Sequence, residues 1–151
     1  MRHLFAVATA LAIALAAAAS AAPPDWTPAA WTDENTVELR TTAPGEEPHW
    51  FPVWVVTLDG RLYVRLGSRA AGRFDRNATK PTVGVRIAGK TFERVRGVIA
   101  PEMVVPVAAA MKDKYWLQGD FFIRHMDHPY TIRLDPEAAD GPGAGDPAKM
   151  P

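Results

Sequence analysis

The sequence predicts a mainly β protein with flanking helices, an α+β fold in which five or six antiparallel strands close into a small barrel. Short segments of alternating apolar and polar residues dominate the chain between residues 35 and 134, and turn signals separate them at hairpin spacing. Two segments in this region have helical character instead. Because an open sheet of such strands would expose its edges, we expect the sheet to close on itself.

The first strand and the first hairpin are the clearest elements. Residues 36–42 (TVELRTT) alternate apolar and polar side chains, as a half-buried strand does. Residues 50–58 (WFPVWVVTL) are apolar on both faces, which predicts a central strand with two covers, one of them a partner subunit. Pro52 predicts an edge or a bulge near the start of this strand. Asp59 and Gly60 are a two-residue hairpin signal before the next strand, RLYVRL.

The second half of the core mixes helices and strands. A short helix is predicted over SRAAGRFDRNA, with Ser68 as its N-cap. The segment TVGVRIAGKTFERVRGVI predicts a second hairpin, in which Gly97 marks a bulge. Pro106 interrupts the next apolar segment, so we expect a helix over about residues 107–115. The runs FFIRHM and YTIRL predict two further short strands.

Both ends of the chain are predicted to lie outside the barrel domain, residues 35–134. Residues 1–21 combine a basic start, an uncharged apolar run and a small-residue cleavage signal, the layout of a secretory signal peptide, and we expect cleavage after Ala21. Residues 22–34 form a Pro-rich lead-in whose two tryptophans can dock on the core. Residues 135–151 contain almost no large apolar side chains, which predicts a disordered tail.

The composition narrows the class of protein further. The chain has no cysteine, which excludes disulfides, thiol chemistry and lipoprotein attachment. It has 17 basic and 17 acidic residues, and loss of Arg2 with the signal peptide would leave a net charge of about −1. This balance gives no reason to expect nucleic acid as a partner. We therefore expect a periplasmic or secreted protein with no stable membrane anchor after cleavage.

Several of these segments together resemble a known superfamily. The matching parts are PVWVV, DGRLYVR, SRAAGRFDRN, VGVRIAGKTFE and KDKYW, within residues 35–117. Their order and turn placement resemble the split-barrel flavin-binding superfamily, which includes pyridoxamine phosphate oxidase-like proteins and deazaflavin-dependent reductases, and within it a small bacterial family of unknown function. The resemblance implies a six-stranded split barrel that forms a homodimer, with any cofactor at the dimer groove. It implies that the FMN-phosphate positions of relatives fall on Arg65, Ser68, Arg69 and Arg73.

The basic stretch RLYVRLGSRAAGRFDRN also favours an anion site on physical grounds. Arg69 and Arg73 lie one helical turn apart and Arg65 ends the preceding strand, so their guanidinium groups can approach one anion. The free N–H groups at the start of a helix favour the same kind of ligand. The alternative is a solvated charged surface, in which these arginines pair with carboxylates such as Asp59, Asp75 and Glu93.

Two other clusters have an ordinary structural explanation. Trp50, Phe51 and Trp54 share one strand and can cover an isoalloxazine ring, but such a cluster more often belongs to a core or a dimer interface. His125 and His128 invite a metal site, but residues three apart on a strand face opposite sides. We therefore predict no metal ligand, and in the absence of a recognisable nucleophile motif we predict no catalytic residue.

Two functions remain open at this point. We favour an exported binding or structural module without bound flavin. The chain start lacks a twin-arginine pair, so export should occur unfolded through the general secretory route, and an unfolded chain cannot carry a non-covalent cofactor. The alternative is an oxidoreductase-like protein that holds FMN or another phosphate-bearing cofactor at the four residues named above. We expect a homodimer with either function. The arginine pattern predicts an anionic small molecule as the ligand.

Overall fold

Six antiparallel strands form a closed barrel in the structure, a computed structural model that describes residues 22–125 and 130–138, with side chains outside 116–125. The strands are β1 (Thr36–Thr41), β2 (His49–Leu58), β3 (Arg61–Leu66), β4 (Thr82–Ile87), β5 (Lys90–Ile99) and β6 (Tyr130–Pro136). They follow one another around the barrel in the order β1-β2-β3-β6-β5-β4. Two helices, α1 (Ser68–Asp75) and α2 (Val104–His125), flank them. The predicted fold class, mainly β with flanking helices around a six-stranded barrel, is confirmed.

Alternation along the strands directs one set of apolar side chains into the barrel. In β1, for example, Val37 and Leu39 are buried, whereas Glu38 between them is partly exposed. Helix α1 follows β3 almost directly and packs against the same core through Ala71 and Phe74. This packing fixes the orientation of α1, and with it the position of the residues at its first turn.

A second apolar cluster lies on the outer face of the barrel wall, beneath α2. Val56 of β2 and Tyr63 of β3 pack there with Val107 and Met111 of α2. The C-terminal half of β2 is therefore covered on both faces within one chain. The prediction of a strand with two covers is correct for this half, but α2 takes the place that we expected a partner subunit to fill.

The Pro-rich lead-in docks on the barrel, as predicted. A 3-10 helix at Pro28–Trp31 buries Trp31, whose ring centroid lies 5.3 Å from that of Trp26 and 5.8 Å from that of Phe92. The start of the predicted tail also belongs to the fold, because β6 extends to Pro136. The predicted signal peptide and the remainder of the tail lie outside the described residues.

Both hairpin turns lie where their turn residues predict them. Asp59 and Gly60 have φ values of 49° and 70°, and Ala88 and Gly89 have φ values of 50° and 74°. Two consecutive positive φ values are typical of the tight turns that match the twist of the flanking strands. The two hairpins are therefore determined by local turn chemistry.

Helix α2 differs from its prediction at both ends. It begins at Val104, three residues before the predicted start. Pro106 is compatible with this start because it falls in the first turn of the helix, where a proline removes no intrahelical hydrogen bond. It continues to His125, so residues 121–125, which we predicted to form a strand with Met126, are helical. Periodicity cannot separate a strand from a helix in so short an apolar run. No helix within the described ranges is both long and apolar enough to cross a lipid bilayer.

Gly97 is not a bulge, in contrast to its prediction. It pairs in regular register with Leu134 of β6. A Cβ at this position would lie 2.7 Å from Cε2 of Phe74, which is closer than a real contact permits. Gly97 is therefore required for the close approach of α1 to the sheet.

Candidate functional site

The strands β2 and β3 separate halfway along β2, and this split creates the candidate site. The two strands pair only from Val55 with Val64 to Leu58 with Arg61. Beyond that point the N-terminal half of β2 pairs with β1, whereas β3 continues along β6 as far as Leu66. Helix α1 starts two residues later, so its first turn lies beside the opening between the two strands.

Pro52 lies on the edge of β2 that faces this split. Val55 directs its N–H toward β1, to the carbonyl oxygen of Asn35 at 3.4 Å. Peptide orientation alternates along a strand, so the peptide nitrogen of Pro52 faces the opposite side, the split. A proline has no N–H to offer there, which protects the edge against pairing with a further strand. The prediction that Pro52 marks an edge is confirmed.

A cavity of about 770 Å³ occupies the opening. All four residues that the sequence predicted as an anion site line it, namely Arg65, Ser68, Arg69 and Arg73. The facing wall comes from β2 and α2 and is mostly apolar, with contributions from Phe51, Pro52, Val53, Trp54 and Met111. The described residues of the lining include no aspartate and no glutamate, and they divide into a basic group on β3 and α1, the basic end, and a mostly apolar group on β2 and α2, the apolar end.

Arg65 is the most unusual side chain in this lining. Val55 pairs with Val64, so Arg65 follows on β3 opposite Trp54 on β2. The Nε and Nη1 atoms of Arg65 are buried and have no hydrogen-bond partner within the part of the chain that the structure describes. Burial lowers the pKa of Arg65, but an arginine remains protonated at neutral pH. The free protein thus holds a positive charge with unused donors at the cavity.

Arg69 and Arg73 add two charges from the first turns of α1. Neither forms an ion pair with a carboxylate in the described part of the chain, whose salt bridges involve other arginines and lysines. Of the carboxylates that the alternative of a solvated surface named (Asp59, Asp75 and Glu93), Asp75 pairs with Lys80 and Glu93 pairs with Arg40. No described carboxylate therefore compensates the charge of the arginines at the cavity.

Ser68 is the first residue of α1 rather than its cap. The N-cap is Gly67, and no side chain caps this helix, which corrects the predicted role of Ser68. The first intrahelical bond is donated by Ala71 to the carbonyl oxygen of Gly67, at 2.8 Å. The N–H groups before Ala71 are the ones that a helix leaves without an internal acceptor. The exposed Ser68 hydroxyl therefore lies beside N–H donors at the basic end of the cavity.

The predicted aromatic cluster of β2 is divided by the structure. Phe51 and Trp54 line the cavity. Trp50 does not line the cavity, and its ring centroid lies 5.2 Å from the guanidinium carbon of Arg40 and 4.2 Å from that of Arg86. The sequence could not separate these residues, because all three lie on one apolar strand and its pattern does not show which of them face the cavity.

Lys114 and Tyr115 of α2 hold β2 at the edge of the cavity. The Tyr115 hydroxyl accepts the N–H of Val55 at 3.1 Å, and its single proton can be donated to either of two carbonyl oxygens, that of Val55 at 2.6 Å or that of Asn35 at 2.5 Å. Lys114 donates to the carbonyl oxygens of Val55, at 3.1 Å, and Glu34. Burial raises the pKa of Tyr115, which therefore keeps its proton as a donor. The sequence pattern marked these two residues only as a helix end.

The described residues contain no group of three potential ligands that could hold a metal ion. His125 ends α2, and His128 lies outside the described residues. His49 does line the cavity, where its ring stacks on Phe51 with centroids 6.2 Å apart. It thus belongs to the aromatic wall.

Comparison with solved structures finds proteins of similar fold. The heme storage protein HutZ from Vibrio cholerae aligns at 15% identity over 75% of this chain and 88% of its own, with a TM-score of 0.49. A reductase dependent on F420-H2, FDR-A, aligns at 14% identity over 67% of this chain and 93% of its own, with a TM-score of 0.46. These two likenesses carry no argument about function. No protein-family model and no curated protein matches the chain.

Proposed function

We propose that this protein is a small-molecule-binding barrel whose cavity takes a planar aromatic ligand with a phosphate group, of the chemical class of FMN. One observation carries the proposal: Arg65 lines a cavity whose described lining has no acidic residue, and two of its guanidinium nitrogens are buried without a hydrogen-bond partner among the described residues. Buried donors are almost always paired in proteins, and exceptions call for an explanation. An anion bound at Arg65 supplies one.

The charge and shape of the basic end favour phosphate over a single carboxylate. Arg65, Arg69 and Arg73 offer three guanidinium groups, and Ser68 adds a hydroxyl. A phosphate dianion has three oxygens that can accept from several donors at once, and arginine is well suited to such forked contacts. A carboxylate has two oxygens and would leave more of these donors unused.

The apolar end favours a flat ring system. Phe51 and Trp54 present aromatic surface, and Met111 adds a polarizable side chain. Pockets of this kind, mostly apolar with a few convergent polar groups, are typical small-molecule sites. A volume of about 770 Å³ lies within the range of such pockets. The proposed role is binding, and any redox chemistry would be that of the bound cofactor itself.

The place of binding follows from the predicted export. A chain that crosses the membrane unfolded would acquire its ligand outside the cytoplasm, after folding. This makes a carrier, storage or sensing role more consistent with the cavity than the role of an enzyme with a resident redox cofactor.

The homodimer also stays a prediction, which light scattering on the mature protein would check.

Titration with FMN and riboflavin tests the function. The two molecules share the ring, and only FMN has the phosphate. We expect saturable FMN binding, which flavin fluorescence can follow. Riboflavin should bind at least roughly tenfold more weakly than FMN, because charge-assisted hydrogen bonds to the phosphate contribute about 1.5–3 kcal/mol. Arg65→Gln should weaken FMN binding by a similar factor and leave riboflavin binding almost unchanged.

Arg61 provides the matched control for this variant. It lies on the same strand as Arg65, is exposed, and does not line the cavity. Arg61→Gln should bind FMN as the unmodified protein does. Equal affinity for FMN and riboflavin, or equal loss in the two variants, would contradict the phosphate assignment. Binding of haem but not of FMN would instead assign the arginines to the carboxylates of a porphyrin.

A further inference from the structure

Arg76, the C-cap residue of α1, places one more guanidinium group next to the basic end of the cavity. Residues three or four apart on a helix lie on the same face, so Arg76 shares a face with Arg69 and Arg73, which line the cavity. Side chains on a helix lean toward its N-terminus. The long side chain of Arg76 therefore extends back along this face, toward the turn that contains Gly72.

Gly72 provides the space in which this guanidinium group lies. A Cβ at position 72 would be 3.3 Å from Nη1 of Arg76 and 3.9 Å from both Cζ and Nη2, so the group lies directly over the glycine. Glycine destabilises a helix relative to alanine, and α1 has only eight residues. The residue at 72 thus favours the placement of Arg76 over the stability of the helix.

This face of α1 has an excess of positive charge. Among the described residues, no carboxylate lies within salt-bridge distance of Arg69, Arg73 or Arg76. Asp75 precedes Arg76 in the chain, but its carboxylate pairs with Lys80 at 2.8 Å. Like charges three or four residues apart repel each other and destabilise a helix. An anion bound along this face would offset that repulsion.

The arginines form a row from the barrel wall to the surface. Arg65 is half-buried on β3, Arg69 and Arg73 follow on successive turns of α1, and Arg76 is exposed at its end. The three free oxygens of one phosphate ester can accept hydrogen bonds from the arginines that line the cavity. Arg76 is outside the described lining, so its donors remain available to an anion farther out.

We propose that Arg73 and Arg76 form a second anion subsite at the rim of the cavity, which binds the outer phosphate of a diphosphate ligand. This inference rests on the proposed function and narrows its ligand class, from any aromatic phosphate to an aromatic diphosphate such as FAD. The half-buried Arg65 then contacts the phosphate nearer the ring. Gly72 is a positioning residue for the subsite, because it leaves the space that the guanidinium group of Arg76 occupies.

Calorimetric titration with FAD and FMN tests the second subsite, because FAD has the ring and phosphate of FMN followed by a second phosphate and adenosine. We expect FAD to bind about tenfold more tightly than FMN. Arg76→Gln should reduce this affinity ratio to about one, and should change FMN affinity less than about twofold because an exposed charge away from the bound group contributes little. Arg61→Gln, on the exposed start of β3, controls for the loss of a positive charge and should keep the ratio.

A double-mutant cycle tests the placement of Arg76. Gly72→Leu fills the space under the guanidinium group and raises helix propensity, so it should lower the affinity ratio as Arg76→Gln does, without a loss in Tm. In an Arg76→Gln background the same change should have no further effect on the ratio. Arg76→Gln alone remains informative if Gly72→Leu fails to fold.

Inorganic pyrophosphate and inorganic phosphate separate the diphosphate of FAD from its adenosine. As competitors of FMN, pyrophosphate should be about tenfold more effective than phosphate, and Arg76→Gln should remove most of this difference. A preference for FAD without a preference for pyrophosphate would assign the ratio to the adenosine and overturn the second subsite.

Two further results would overturn the inference. These are equal affinity of the unmodified protein for FAD and FMN, and an affinity ratio that Arg76→Gln leaves unchanged. Either result, with FMN binding still dependent on Arg65, would leave the proposed function intact. Failure of the unmodified protein to bind either flavin would overturn this inference together with the proposed function.

Discussion

Arg65 illustrates at the scale of one residue how a binding function can oppose stability. The residue is half-buried on β3, and two of its guanidinium nitrogens are buried without a partner among the described residues. A buried donor that has lost water and gained no acceptor destabilises the folded state by about 1–3 kcal/mol. Arg65 is only partly buried, so the lower end of this range applies. A structural role alone would not favour arginine at this position.

Replacement of Arg65 by methionine should therefore stabilise the ligand-free protein. Methionine keeps the length of the stem and removes the unpaired donors. We expect the free energy of unfolding to rise by about 1 kcal/mol, which corresponds to roughly 4 °C in Tm for a domain of this size. Thermal unfolding without ligand measures this change. Arg61→Met on the exposed start of β3 is the control and should leave Tm unchanged. A fall in Tm for Arg65→Met would show that the arginine stabilises the free fold.

At the scale of elements, the structures that could be predicted are those determined by residues close together in the sequence. The two hairpins follow from turn residues, and their positions agree with the structure. Helix α2 was misjudged at Pro106, because a proline in the first turn is compatible with a helix. The role of Gly97 was misjudged for the opposite reason: its partner, Phe74, is on an element far along the chain, and no local pattern reveals such a contact.

The contact between Gly97 and Phe74 gives a test of how tightly α1 is packed on the sheet. An alanine at 97 would place its Cβ 2.7 Å from the Phe74 ring, and overpacking of this kind costs about 1–3 kcal/mol. We expect chemical denaturation to show a loss of this size in Gly97→Ala. The smaller side chain in Phe74→Leu should remove most of the additional loss when the two changes are combined. Additive losses would contradict a direct contact.

Asp75 connects the end of α1 to its neighbours through a carboxylate. Its pKa is lowered mainly by the hydrogen bond from Lys80, with a further contribution from Tyr130. A carboxyl group whose pKa is lower in the folded state stabilises the fold above its unfolded pKa of about 3.9, and this contribution is lost as the pH falls through the folded pKa. The difference in Tm between the unmodified protein and Asp75→Asn should thus be largest near neutral pH.

Thermal unfolding between pH 7 and pH 3 measures this dependence. The two curves should start to converge as the pH falls below about 4, where Asp75 of the unfolded chain takes up its proton, and should meet only at the lower pH at which the folded carboxylate is protonated as well. Asp113→Asn, at an exposed position on α2, serves as a control for the loss of a carboxylate in general. A Tm difference that is constant over the whole pH range would assign the effect of Asp75→Asn to packing instead of charge.

At the scale of the whole molecule, the candidate site depends on topology more than on sequence. The spacing of Arg65, Arg69 and Arg73 indicated one end of the cavity, and the structure places all three in its lining. The other end comes from the middle of β2 and from Met111, which no pattern in the chain relates to the arginines. Their proximity results from the split between β2 and β3 and from the packing of α2. The overall charge balance of 17 basic and 17 acidic residues conceals this local excess of positive charge.

The predicted export of the chain is a property of the full molecule and has a direct test. Expression of residues 1–151 in a bacterium with a periplasm should yield a periplasmic protein whose mass corresponds to a start at Ala22, because small residues precede the expected cut after Ala21. Ala21→Tyr places a large side chain next to that cut and should leave the uncleaved precursor with the membrane fraction. Ala16→Leu, within the apolar run, preserves the pattern and should be processed normally. Recovery of the full-length chain from the cytoplasm would contradict export, and the ligand of the cavity would then have to be sought among cytoplasmic phosphate-bearing cofactors.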